Sequence, residues 1–126
     1  MVALPWPERP VPAQRSQLVA SLAASGSEVR YLAVYDAASD EVALRHVSGE
    51  RAPGSDFELW MIEGSNAPVS MGVIPSGTAV RLPVAPAAKA KLDSGDVLAV
   101  SVEPAGGSPS GQPTGPVVAA GDLQGI

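Results

Sequence analysis

There is no cysteine in the 126 residues. That excludes disulfide bridges, thiolate catalysis and cysteine-ligated zinc, and leaves the redox compartment open. Histidine occurs once, at His46. An imidazole-built metal site has no second member, so His46 reads as a structural side chain on a strand. Lysine and arginine number eight and nowhere cluster, against thirteen acids and a net charge of −5. That balance argues against a nucleic-acid partner. No apolar run approaches the roughly 18 residues of a membrane span. The opening residues, Met1-Val2-Ala3-Leu4-Pro5-Trp6-Pro7, have neither the basic region nor the apolar core of a secretory signal. No nucleophile elbow exists, because Pro109 holds the centre of residues 107–111. Gly106 and Gly111 have the spacing of a phosphate loop, but Gln112-Pro113 stands where lysine and a hydroxyl residue are needed.

What is present is proline and glycine, thirteen of each, in a chain that is 45% apolar and 17% charged. This describes one globular domain of short strands joined by frequent turns. Residues 3–14 carry Pro5, Pro7, Pro10 and Pro12 and read as a semi-rigid extended spacer. We therefore expect a linker over residues 1–15 and a domain over 16–126, with Trp6 docking on the domain or near a membrane interface. Residues 16–24 suit a strand or a helix turn, and the Ser25-Gly26-Ser27 turn favours strand. Strands are predicted at 29–35, 41–47, 56–63, 69–74, 78–84, 97–103 and 116–120, with Gly72 at a bulge or close backbone approach. Large apolar groups on both faces of 56–63 mark it as a central strand. The only helical piece is predicted at 87–92. The fold class is all-β: an antiparallel β-sandwich of about seven or eight short strands, Ig-like in general architecture, with at most one short helix.

Few residues suggest chemistry. Glu58, Glu63 and Glu103 could form a carboxylate pair, yet their positions predict solvent-facing or strand-end charges. Asp93-x-x-Asp96 lacks the further oxygens of a calcium loop. From Leu92 onward there are four acids and no bases, which reads as a solvated rim. No catalytic residue, metal or cofactor is expected.

The chain is organised around residues 97–121. Leu98, Val100 and Val102 alternate with Ala99, Ser101 and Glu103, the period of a half-buried strand. Pro104 ends it, a glycine- and proline-rich turn follows, and an apolar run resumes at Pro116. Composition alone would make the turn mobile, but apolar runs bracket it and predict that both ends are pinned.

The segment Val102-Glu103-Pro104-Ala105-Gly106-Gly107-Ser108-Pro109, continuing through Pro113-Thr114-Gly115-Pro116-Val117, resembles the C-terminal domain of the anti-sigma-K factor family. Glu58-Leu59-Trp60 and Pro68-Val69-Ser70, with Gly72-Val73 beyond, agree in order and spacing, so the resemblance covers about residues 29–123. It implies a membrane-bound regulator in three parts: a cytoplasmic domain that sequesters an extracytoplasmic-function sigma factor, one transmembrane helix, and an outer domain like this one. This chain lacks the first two parts, so no sigma-binding residue carries over. The residues that do match are Leu59, Trp60, Pro68, Gly72, Glu103, Pro104, Gly106, Gly107, Ser108, Pro109, Pro113, Gly115 and Pro116, all expected to be structural, with Trp60 in the core. The expected role is an extracytoplasmic or periplasmic sensor domain of an anti-sigma factor acting through regulated proteolysis. Its partners would be a sigma factor held by the missing domain and a periplasmic protease or unknown ligand, with a homo-oligomer possible. The other reading is a cell-surface adhesion or ligand-binding sandwich.

Overall fold

Alternating apolar residues set the first sheet. The structure, a computed structural model, describes residues 17–89 and 92–125. The proline-rich stretch expected as a linker lies outside the described residues. Strands β1 (Gln17–Leu22), β2 (Arg30–Asp36) and β3 (Glu41–Ser48) form a consecutive antiparallel meander. Their inward residues include Leu18, Ala20 and Leu22, then Tyr31, Ala33 and Tyr35, then Val42 and Leu44, all buried. β6 (Ala79–Pro83) and β9 (Gln124–Gly125) complete this sheet in the order β6-β3-β2-β1-β9. The second sheet holds β4 (Ser55–Ile62), β5 (Val69–Val73), β7 (Val97–Pro104) and β8 (Val117–Asp122), in the order β5-β4-β7-β8. The fold is an antiparallel β-sandwich.

Two details depart from the sequence reading. A ninth strand, β9, was not predicted, because Gln124-Gly125 has no apolar alternation; it pairs with Leu18 and Val19 of β1. The helix expected at 87–92 is α1, described over Pro86–Lys89 and beginning one residue earlier, at the proline; residues 90 and 91 of the expected span lie outside the described residues. Proline suits this first turn, where its missing N–H has no helical partner.

The core lies between the sheets, with Leu22, Leu59, Ile74, Leu98, Val100 and Leu123 fully buried. Truncating one such side chain to alanine typically costs about 2–5 kcal/mol. His46 shares the inward face of Val42 and Leu44, and its ring stacks on Tyr31 with centroids 4.5 Å apart, just before a bulge at Val47. Its Nε2 lies 2.5 Å from the Gly49 carbonyl, so the sole histidine is packed into the frame. On β5 the extra residue is Met71, because Leu59 pairs with Gly72 and Trp60 with Ser70.

The sandwich is closed along one edge. Just past β1, Ala23 and Ala120 of β8 exchange backbone bonds of 3.1 and 3.0 Å, joining one sheet to the other. The C-terminal segment is tied down as well. Leu123 N–H donates to Asp96 O at 2.7 Å, and Gly95 N–H donates to Leu123 O at 2.8 Å.

Candidate functional site

The two-residue period of β4 turns Phe57, Leu59 and Met61 to the core and Asp56, Glu58 and Trp60 to the opposite face. β7 does the same with Leu98 and Val100 against Ala99, Ser101 and Glu103. The register sets Asp56 opposite Glu103, Glu58 opposite Ser101, and Trp60 opposite Ala99. In an open sandwich water would cover this outer face. Here it is dry: Trp60 and Ser101 are 0% exposed, Glu103 2% and Glu58 6%. The sequence reading of Glu58 and Glu103 as solvent-facing charges is corrected, as is that of β7 as half-buried.

The cover is a strap, residues 105–116, that leaves β7 and returns to β8. Three carboxylates hold its backbone. Asp56 Oδ2 accepts from Gly106 N–H at 2.8 Å, and Glu58 Oε1 from Ser108 N–H at 2.7 Å. Glu103 accepts from Thr114 N–H at 3.0 Å and, more weakly, from Gly115 N–H at 3.4 Å. The Thr114 hydroxyl also donates to Glu103, and the Ser70 hydroxyl to Glu58. Below the strap, Trp60 Nε1–H donates to Ser101 Oγ at 2.8 Å, and the Ser101 hydroxyl donates to Glu103 Oε2 at 2.6 Å. A tryptophan and a strap backbone thus share one carboxylate through one serine.

Carboxylates opposed across a ladder repel, and burial adds a desolvation cost. Each is offset by fixed donors. Arg51 lies 2.8 Å from Asp56, donates also to Ile74 O at 3.1 Å, and sits over the Phe57 ring. Burial pushes the Glu103 carboxyl upward, but bonds from Ser101, Thr114 and Gly115 outweigh it and hold the group below its ordinary range. These carboxylates have their lone pairs committed to backbone and hydroxyl donors. Chemically the arrangement is a lock on a loop.

The motif residues gather here. Pro104 O accepts from Gly107 N–H at 2.8 Å, turning the chain onto the sheet, and Val102 N–H donates to Pro116 O at 3.0 Å where it returns. Pro68 O accepts from Gln112 Nε2 at 3.0 Å, fixing the strap's middle to the start of β5. Two glycines allow the close approach. A Cβ on Gly115 would stand 1.8 Å from Val102 O, and one on Gly107 2.9 Å from Val73 and 3.0 Å from Glu58 Oε1. Pro109 is exposed and Pro113 half-buried at the tip. Leu59 lies in the core and Gly72 on β5, so these two are near the strap only through the sheet. Trp60 is buried on the strap side of its sheet, outside the cluster between the sheets.

Sequence reasoning missed Asp56, Ser70, Ser101 and Thr114. A signal was available in the spacing of Asp56, Glu58 and Trp60, which share one strand face, and of Ser101 and Glu103, which share another. What covers that face is not written locally.

Elsewhere, Asp96 is buried and its Oδ2 accepts from Asp93 N–H at 3.1 Å, closing a turn, so it is no part of a solvated rim. Burial pushes its carboxyl up, and Glu63 and Asp93 add to this against the Asp93 bond. Among the described residues, no group of three or more His, Cys, Asp or Glu is placed to hold a metal ion, and no helix is long and apolar enough to cross a membrane.

No curated protein and no solved structure matches the chain. Residues 3–117 match the family described as anti-sigma-K factor RskA, C-terminal, a span that takes in β1 to β7 and the whole strap. The chain belongs to the family of anti-sigma-K factor C-terminal domains.

Proposed function

We propose that this domain is the extracytoplasmic sensor of a membrane-bound anti-sigma factor, governing release of an extracytoplasmic-function sigma factor through regulated proteolysis. The family match over residues 3–117 carries the reading. In the whole protein, an apolar span of about 20 residues precedes the domain, and a sigma-binding domain lies before that. Among the matched motif residues, Glu103, Gly106, Ser108, Gly115 and Pro116 act as fasteners of the strap. With the strap closed, its backbone N–H groups are engaged and the chain is a poor protease substrate, since cleavage requires a locally opened backbone. A signal acts by shifting the balance between closed and open strap.

Protease shaving of spheroplasts that express the full-length parent with a C-terminal tag tests the placement. The tag is expected to be lost from intact spheroplasts while a cytoplasmic marker survives. A tag protected until the membrane is permeabilised would overturn the extracytoplasmic reading. Strap-loosening variants such as Glu103→Ala should then raise expression of a sigma-dependent reporter; unchanged output would remove the strap from the signalling step.

A further inference from the structure

Among the described residues nothing covers the outer face of the first sheet, and its charges are ordered. On β2 and β3 the register pairs Asp36 with Glu41, Val34 with Ala43, and Leu32 with Arg45. Moving along the strands, this gives an acidic row, an apolar row, and a row of leucine and arginine. Val19 of β1 extends the apolar row beside Val34. Leu32 is 47% exposed, an unusual position for a leucine at the centre of a sheet. Arg45 is exposed and has no ion pair or hydrogen bond among the described residues, whereas Arg81 lies 3.4 Å from Glu41 of its own chain. A groove of about 300 Å³ runs between Leu32 and Val34 on one side and Arg45 and Arg81 on the other.

Over β1 to β3 the face is negative at one end, apolar in the middle and positive at the other, with Arg81 beside Ala43 on the edge strand β6, and the ends of that pattern complement one another. We propose that it is a homodimer interface, with a second copy of this chain seated on it face to face. The twofold axis lies between the two faces and runs across the strands through Ala43. That operation sets β3 antiparallel to β3 of the second copy. Glu41 then meets Arg45 of the second copy, Arg45 meets its Glu41, and the valine row packs on itself; Asp36 comes opposite Leu32 of the second copy, next to that copy's Arg45, and Arg81 faces its own counterpart at the β6 rim. An axis along the strands would set acids against acids, so the charge pattern selects one arrangement. This is an isologous contact, closed at two copies.

The area bounds the strength. Four strands of about seven residues give a plan of about 450 Å² per copy, below the roughly 800 Å² per partner of a stable interface. The dimer is therefore weak in free solution. Anchoring two copies in one membrane would raise their effective concentration and populate it.

Sedimentation equilibrium of the chain from about 10 μM to about 1 mM, where so small an interface should associate, is the test. The wild type should move from monomer toward dimer, less so at high salt. Arg45→Glu puts a glutamate at both ends of the β3 row, and Glu41→Arg puts an arginine at both, with Asp36 left beside one of them. Each should self-associate at least about tenfold more weakly, and their equimolar mixture should dimerise at least as well as wild type. Leu32→Asp, at an exposed site, should weaken association without altering the circular dichroism spectrum. A wild type that stays monomeric throughout, single charge reversals that dimerise like wild type, or a mixture no stronger than its parts would each overturn the proposal.

Discussion

Asp56 and Glu103 face one another across the β4–β7 ladder, and the two carboxylates hold opposite ends of the same strap. Asp56 takes Gly106 where the strap leaves the sheet, and Glu103 takes Thr114 and Gly115 where it returns. Two like charges in register would repel across a bare sheet. Here each is turned outward to its own backbone donors, and Arg51 offsets the first. Loss of either should loosen one end of the strap before the other.

Glu103 receives bonds from Ser101, Thr114 and Gly115, so its replacement strands several buried donors. Glu103→Ala is expected to cost about 3 kcal/mol and Glu103→Gln about 1–2 kcal/mol, the range for buried groups losing charged or neutral partners. Urea unfolding of the two variants beside wild type measures both. Equal stability of Glu103→Ala and wild type would contradict the lock.

Acid should release the lock in a defined direction. The folded-state pKa of Glu103 lies below its ordinary value of 4.5, so its contribution is complete above that value and fades as pH falls through the folded one. Asp96 runs the other way. Its raised pKa means that the folded state holds the proton more tightly, a contribution present below the ordinary value of 3.8 and lost as pH rises through the folded value. Urea midpoints against pH should therefore fall less steeply below pH 4.5 in Glu103→Gln than in wild type. Asp96→Asn should compare more favourably with wild type at neutral than at acid pH.

Gly115 and Gly111 lie in the same strap and should respond very differently to alanine. At Gly115 the new Cβ meets Val102 O at 1.8 Å, against backbone that cannot step aside, while at Gly111 nothing lies within 4 Å. Gly115→Ala should cost about 3 kcal/mol or more, as clashes in packed sites do. Gly111→Ala should cost about 1 kcal/mol, the strain of a left-handed conformation. Thermal unfolding of the pair decides it.

Trp60 reports whether the strap is closed. In a Trp6→Phe background, acrylamide should quench the remaining tryptophan poorly, because Trp60 is 0% exposed and bonded to Ser101. Replacing residues 105–116 with a short glycine-serine link should raise quenching severalfold. A broad-specificity protease should spare 106–116 in the wild-type chain and cut elsewhere first.

The strands were legible because each needs only its own alternation. Phe57, Leu59 and Met61 against Trp60 and Ile62 announced a central strand, and the structure places β4 between β5 and β7. The fate of Glu58 and Glu103 was not legible. The two-residue period tells which face a side chain takes, and a carboxylate on the outer face is by default in water. Their burial depends on residues 105–116 folding back, with donors up to 50 positions distant in sequence. β9 escaped for a related reason: Gln124-Gly125 is a strand because Leu18 and Val19 stand beside it.

The bridge between Ala23 and Ala120 also has a mechanical consequence. β1 is bonded to β2 and β9 in its own sheet, and the residue that follows it is bonded to β8 of the other. Tension arriving through Gln17 along the strand axis meets six β1–β2 pairs and this bridge in parallel, in shear. The same tension directed sideways would part them one after another. Rupture under load is governed by the unfolding rate along the pulled direction, so a pull along β1 is borne by both sheets together, and a sideways pull opens the sandwich from its closed edge.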